Sequence, residues 1–575
     1  MKTKLLIFLL IPVTLLAQDI KLDSTIYKAI HDEIYRVLDE SADSIAKPFF
    51  VSYTVADMEY QFVKAQLGST TVKIDQPSKT GTYRLMIGDY HINDENYIGK
   101  RQYRNEIEVP RIPMPVDNDY WGIRRSAWSG LTNSIRRATE SYKNKINFMD
   151  EEGIDKENYL DDYEQLGPVV MDFNDNRELP RIEEVEAKAK RISKMFIDFP
   201  EFYLSAVDIM NIYGRVYVEN TEGSRFSFPV GISTMMLSVG LMDSNNDYKS
   251  ESISYNRPAF KDLPNQDVLS NHIKILANYI AEYDTALVIE EKYEGPVMLE
   301  GANVADLFIS KLFKSGDLLS SREVLNESGY EDDDFEEKVI GDKITAKNIN
   351  VVDCSRMLTY KNHPLIGGYY IDGEGVYPED SLLLIKEGEI VSKLNSRIPN
   401  EEVKSSNGHY KTGLPVNGYV PSQLAPGVVF ITTSEPVEMQ HLKTSIIELC
   451  KKEELDYYIA KKSLIPYDCV SPDMYIKVNI ESGKETLLKK TTNLKIPDDG
   501  LEEIVAISGV EYIYNTSYGY GGIENTMPLS VICPKAIVLE EAELTRQTRY
   551  AKKNADRPVV PSPLELYNNK AEKDQ

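Results

Sequence analysis

Cysteine and histidine are scarce in this chain of 575 residues, which has four of the first and six of the second. The four thiols, Cys354, Cys450, Cys469 and Cys533, make no C-x-x-C pair, so the fold cannot depend on a dense disulfide framework. The six histidines are His31, His91, His272, His363, His409 and His441, and the closest two are 32 residues apart. That excludes a local His pair of any zinc-protease type. There is no Gly-x-Ser-x-Gly, and no Cys has a sequence-local base, so Ser or Cys nucleophile chemistry has little support. A Gly-rich phosphate loop, a dinucleotide fingerprint and a fixed-period repeat are also missing. Positive charge is short as well. A formal net charge of −26, with no basic stretch dense enough to reverse it, argues against nucleic acid and anionic lipid as partners.

What is present begins with a leader. Lys2 and Lys4, the apolar run Leu5 to Leu16 and the small residue Ala17 give the layout of a secretory signal peptide cleaved after Ala17. The run is interrupted by Pro12 and is shorter than the ~20 residues that a span needs, so a membrane anchor is disfavoured. No Cys follows it to carry a lipid. No other stretch has the length and apolarity of a transmembrane helix. The expected product is exported, periplasmic or secreted, without membrane insertion. At 575 residues, with 42% hydrophobic content, the chain is too long for one simple core. The expected division is a leader at 1–17, an N-terminal α+β domain at 18–290, a β-rich C-terminal domain at 291–548 and a charged, Pro-containing tail at 549–575.

Helical spacing marks Leu22 to Leu38, Trp121 to Ile146, Ile182 to Ile197, Asp267 to Tyr283 and Glu438 to Lys452. The second of these carries Arg124, Arg125, Arg136, Arg137, Lys143 and Lys145, the most basic patch of the chain. It is read as a solvated face, with docking of an acidic partner as the alternative. Three strand-like runs, Phe49 to Met58, Tyr60 to Ile74 and Thr82 to Tyr90, suggest an antiparallel set turning at Gly68-Ser69-Thr70. Asp150 to Arg181 is acidic and irregular. Val207 to Glu219, a turn at Asn220-Thr221-Glu222-Gly223, and Arg225 to Phe228 form a hairpin, continued by Met235 to Met242 and Tyr248 to Tyr255. Further strands are expected at Leu382 to Ile385 with Ile390 to Leu394, and at Met474 to Ile480, Glu485 to Thr492, Glu503 to Tyr514, Leu529 to Cys533 and Ile537 to Leu544. Asn220 and Gly223 read as turn formers, Asp372 and Glu374 as hairpin-flanking polar residues, His363 as a loop residue, and Cys354 and Cys533 as buried thiols.

The stretch Gly295-Pro296-Val297-Met298-Leu299-Glu300-Gly301-Ala302-Asn303-Val304-Ala305-Asp306 reads as a strand, a Gly turn and a helix. Ala305, Phe308, Ile309, Leu312 and Phe313 give that helix an apolar stripe. A strand feeding a helix puts amides and side chains at one mouth, where the single acid is Glu300. It is either a functional acid or an ordinary acid favoured by the helix dipole.

With three other segments, this stretch resembles the TldD/PmbA metallopeptidase-related family. The others are Arg215 to Gly223 with its Asn-Thr-x-Gly turn, Tyr370-Ile-Asp-Gly-Glu-Gly-Val-Tyr-Pro378 followed by Leu382 to Ser396, and Pro426 to Glu435 with Met527 to Thr545. The resemblance runs in order over most of the chain. It implies two α+β domains, the second β-rich. It also implies that active members carry His-Glu-x-x-x-His at the central stretch, bind zinc through both His and a Cys near the C-terminus, and use the Glu on the zinc-bound water. Aligned here, the two His positions hold Leu299 and Val304, and only Glu300 survives, as a remnant catalytic acid. No Cys lies between Cys469 and Cys533, and Tyr520 falls near the third ligand's place.

No metal or other cofactor is therefore expected. The resemblance implies the non-catalytic, TldE-like pseudoenzyme subunit of an exported peptidase complex acting on unfolded peptides. Its partner would be a sibling bearing His-Glu-x-x-x-His in a heterodimer, or a second copy in a homodimer. Two alternatives stay open: a metallopeptidase with substitute zinc ligands drawn from Glu300, Asp306, Glu323 and His363, and an exported binding protein that kept only the fold.

Overall fold

The computed structural model describes residues 24–40, 47–100, 111–175, 177–242, 248–282, 285–329, 338–415, 420–489, 492–519 and 527–546. The leader at 1–17, Tyr520 and the tail after 548 lie outside the described residues.

The N-terminal half is one seven-stranded sheet with helices on one face. Its strands include β1 (Pro48–Gln66), β2 (Ser69–Ile87), β3 (Leu204–Asn220), β4 (Arg225–Met242) and β5 (Tyr248–Arg257). They lie in the order Ile112–Pro113, β2, β1, β3, β4, Val170–Asp172, with β5 also paired to β4. The three strand-like runs at the start are thus two strands of 19 residues each. Glu59, which interrupts the apolar pattern, points into solvent mid-strand instead of ending β1. The chain reverses at Leu67 and Gly68, with φ of 47° and 84°. Met235 to Met242 likewise continues β4 and is no separate strand.

Helices α1 (Thr25–Glu40) and α2 (Tyr120–Glu151) cover one end of the sheet, and α3 (Ile182–Ser193) and α4 (Gln266–Glu282) cover the other end. Ile26, Ile30 and Ile34 of α1, at the expected spacing, are buried against Val51, Tyr53 and Val55 of β1. The opposite face of the sheet packs on the C-terminal half, where Val216, Val218 and Phe226 meet Ile371, Leu414 and Val420. The basic patch on α2 is divided. Lys145 is fully buried and donates to Asp162 and to the Glu95 carbonyl, so it does not belong to a solvated face. Arg124 pairs with Glu33 of α1 at 3.2 Å, and Arg125, Arg136, Arg137 and Lys143 are exposed.

The expected boundary at residue 290 falls between α4 and β6 (Tyr293–Glu300), the first strand of the C-terminal sheets. Two sheets then face each other across an apolar core. One is ordered Glu389–Ile390, β8 (Leu382–Lys386), β7 (Ile349–Asp353), β9 (Val428–Thr433), β15 (Met527–Pro534), β14 (Glu511–Tyr518). The other is ordered β12 (Glu485–Leu488), β11 (Asp473–Asn479), β10 (Tyr457–Ser463), β6, β16 (Ala536–Arg546), Thr492–Lys495, with β13 (Ile504–Ile507) on β16. Helix α5 (Ala302–Phe308) lies between the sheets, and α6 (Met439–Lys452) covers the outer face of the second. The expected strand Glu503 to Tyr514 is really two, β13 and β14, in different sheets. The break comes at Ser508-Gly509, where Gly509 N–H donates to Val437. None of the described helices is long and apolar enough to cross a membrane.

A buried polar network joins the halves. The Tyr163 ring lies between the guanidiniums of Arg84 and Arg397, whose carbons sit 4.5 and 4.2 Å from its centroid. Glu374 accepts from Arg84 and from the Arg397 backbone N–H, and Arg397 also pairs with Glu222 in the β3–β4 turn. Asp372 accepts from the N–H groups of Glu374, Val376 and Tyr410. Asp372 and Glu374 are therefore interior groups of a junction, and the expectation of hairpin-flanking polar residues is corrected. Their signal was a polar Asp-Gly-Glu-Gly run that looks solvent-facing in one dimension.

Candidate functional site

The site grows from the end of β6. Pro296 to Leu299 form an apolar strand paired on both sides, parallel to β10 and antiparallel to β16. Gly301 then turns the chain at φ 69°. A Cβ there would stand 2.9 Å from the Ser463 Oγ, so glycine is required on both conformational and steric grounds. Ser463 Oγ accepts from the Ala302 N–H at 3.0 Å and so holds the first turn of α5. The helix runs only to Phe308 and passes into a π turn at Ile309–Lys314. The predicted stripe is nonetheless buried: Ala305, Phe308, Ile309, Leu312 and Phe313 all belong to the core between the sheets.

The strand alternation assigns faces. Val297 and Leu299 point inward toward α5, and Met298 points to the α6 side. Leu299 is 1% exposed and Val304 is 0% exposed. They are core residues on different elements, one on the strand and one on the helix. Each contributes roughly 1.5–3 kcal/mol by burial.

Glu300 shares the outer face with Met298. Its carboxylate lies 3.5 Å from Lys462 Nζ, its register partner on β10, and Lys462 reaches Glu485 of β12 at 3.0 Å. Burial works against the charge of Lys462, but Glu300 and Glu485 outweigh it and hold its pKa above the ordinary value. Glu300 is thus a cross-strand partner on the face away from α5, where the helix dipole does not explain it.

On the inner face the same strands carry a second polar group. Lys461 of β10 pairs with Asp473 of β11 at 3.0 Å and lies 5.8 Å from the Tyr475 ring centroid. Asp306 of α5 faces this pair. Its side chain reaches water, yet protein crowds it from both sheets. That partial desolvation, with Asp473 adding to it, pushes its carboxyl up to about 6. Lys461 is held above its usual value by Asp473, Tyr475 and Asp306, against the opposing effect of burial. Tyr514 of β14 and Cys533 of β15 close the far side. Burial first, and Asp306 next, raise both of their pKa values, so Cys533 is an inert thiol. All four cysteines are free.

Zinc does not fit these residues. Leu299 and Val304 have no lone pair to offer. Glu300 and Asp306 stand on opposite faces of one sheet. His363, expected in a loop, lies in a short strand and pairs with Asp468 at 2.6 Å. Asp468 is also held by Arg257 at 2.9 Å and Asn515. Glu323 is exposed. Among the described residues, no three His, Cys, Asp or Glu side chains stand close enough to share an ion. Beside α5 stand instead an exposed acid, Asp306, a lysine, Lys461, and the rings of Tyr475 and Tyr514. That set can pair with charged or amide groups of a peptide. The pattern of β10 did not announce it, because Lys461-Lys462 breaks the apolar run. The only available signal was the preceding Tyr457-Tyr458-Ile459.

No protein-family model matches the chain, and no curated protein does. Solved structures do. A Thermotoga maritima protein described as a modulator of a DNA gyrase aligns with a TM-score of 0.53 at 11% identity, over 90% of this chain and 100% of that one. A Bacteroides thetaiotaomicron protein described as a modulator of DNA gyrase aligns with 0.51 at 10% identity, over 90% and 98%. TldE from Thermococcus kodakarensis aligns with 0.49 at 12% identity, over 90% and 100%. At these identities the first two establish the fold, and the two-part α+β architecture expected from the resemblance is the one found.

Proposed function

We infer that this chain, built on the TldD/PmbA fold, is the non-catalytic subunit of an exported peptidase complex. The single observation that carries the reading is the strand–helix junction at Leu299 to Val304. Where the resemblance calls for metal ligands, the side chains are hydrocarbon, buried at 1% and 0% exposure. The one retained acid, Glu300, is tied to Lys462. A buried apolar position cannot be turned back into a ligand by a small movement, because the core packs around it.

In this reading the catalytic metal belongs to a sibling subunit with an intact His-Glu-x-x-x-His. This chain contributes a wall of the peptide-binding space, with the exposed Asp306 and its neighbour Lys461 facing the substrate. The export part of the reading is supported by the leader-like layout of residues 1–17. The gyrase-modulator description belongs to the solved relatives, and the charge of −26 gives no support for carrying it here as DNA contact.

The test is to purify the full chain, incubate it with an unfolded peptide and zinc, and repeat after adding the sibling. The reading expects no cleavage alone, cleavage with the sibling, and co-elution of the two on size exclusion. Robust cleavage by the chain alone would refute it.

A further inference from the structure

The two tryptophans of the whole chain, Trp121 and Trp128, both stand on the outer face of α2, at 70% and 46% exposure. Large aromatics in such positions are unusual for a packed helix, and they are among the side chains most enriched at binding hot spots. Their spacing with Arg125 and Arg136 is 4, 3 and 8 residues, which places all four on one stripe of a helix of 32 residues, about 48 Å long. Arg125 and Arg136 are exposed, and neither joins an ion pair among the described residues. Beside the stripe runs a groove of about 700 Å³, lined by Arg125 and Arg136 with Tyr83 and Ile112 at its apolar wall.

We propose that this stripe and groove form a docking surface for an acidic segment of a partner protein that carries an apolar anchor residue. Charge complementarity selects the occupant. The molecule as a whole carries −26 and repels an extended anionic surface such as a bilayer. A narrow acidic segment lying along α2 feels chiefly the arginines within a Debye length of about 8–10 Å. The tryptophans supply the apolar area that exposed charge pairs alone do not. The surface is remote from Asp306 in sequence and sheet, so it stands or falls apart from the peptidase-subunit reading.

Because both tryptophans lie on this face, intrinsic fluorescence reports its occupancy directly. The full chain is titrated with a synthetic peptide of Glu and Leu, with its Lys and Leu counterpart, and with phosphatidylglycerol vesicles. The acidic peptide should blue-shift the emission, bind more weakly as salt rises, and lose at least about tenfold in affinity to the Arg125→Glu/Arg136→Glu variant. Should that variant fail to fold, the salt dependence on the unaltered chain decides. The proposal is overturned by no spectral response, by equal binding of the basic peptide, or by a response to vesicles alone.

Discussion

Lys411 gives the sharpest energetic prediction. Its ammonium stem is buried between the C-terminal sheet and the 367–376 segment, at 3% exposure. Nζ donates to two carbonyls, those of Gly367 and Pro528. Two donors are what a neutral amine possesses, and the remaining face of the nitrogen meets only the Tyr369 ring, 5.1 Å from its centroid. Burial pushes the pKa down from 10.5 to about 7, opposed only by the attraction of Asp353. In the unfolded chain the group keeps its ordinary value, so between pH 7 and 10.5 the unfolded state binds the extra proton. Stability therefore rises with pH across that window, since its slope follows the protons bound by the unfolded state less those bound by the native state.

The full gap corresponds to about 5 kcal/mol of opposition to folding well below pH 7. About 2–3 kcal/mol of it is relieved between pH 6 and pH 9. Comparing urea unfolding of the native chain with Lys411→Met isolates this contribution, because other titrating groups are common to both. The native chain should gain about 2–3 kcal/mol on the variant from pH 6 to pH 9. A difference that stays flat over that range would mean that Lys411 is charged and solvated, contrary to its placement.

Three further outcomes follow from the geometry. Glu374→Ala leaves Arg84 with Glu95 as its remaining carboxylate and strips the Arg397 backbone N–H of its acceptor, and should cost about 1–3 kcal/mol in calorimetric or denaturant stability; an unchanged midpoint would show that the halves are held by apolar contacts alone. Leu299→His with Val304→His should destabilise by several kcal/mol, on the order of other core disruptions, and gain no tight zinc in equilibrium dialysis; a stable, zinc-loaded variant would show that these positions line an open site. Asp306 has a raised native pKa, so the native state holds the extra proton between its ordinary value of 3.8 and about 6, and its ionisation weakens folding as pH rises through that window. Asp306→Asn should raise the Tm at pH 7 and not at pH 4, and equal shifts at both would show that protein does not desolvate the group.

The sequence carried the fold through periodicity wherever one face was apolar and the other wet. Helices α1, α3, α4 and α6 and the β3–β4 hairpin match their patterns to within a few residues. So does the Asn220 turn, where the side-chain oxygen accepts from the N–H groups of Glu222 and Ser224 at 3.1 and 3.0 Å. Strand joins were less legible. An outward Glu59 looks the same in one dimension whether it ends a strand or decorates it. Strands β7 and β10 were not announced, because each is short and β10 alternates lysines between two faces.

The same alternation hid the candidate site. Lys461 and Lys462 are adjacent in sequence yet serve opposite sides of a sheet, one with Asp306 and the other with Glu300. Their roles depend on neighbours, Asp473 and Glu485, that only the β10–β11–β12 register supplies. The junction at Glu374 was invisible for a related reason. Its partners Arg84, Tyr163 and Arg397 come from distant segments, and a buried charge reads as a surface residue until its partners are known.

The central claim is that the metal-binding function has left this chain, and elemental analysis of the protein purified without chelators tests it most directly. The account predicts zinc far below one atom per chain, unchanged by Glu300→Gln or Asp306→Asn. Stoichiometric zinc that disappears with either substitution would contradict it.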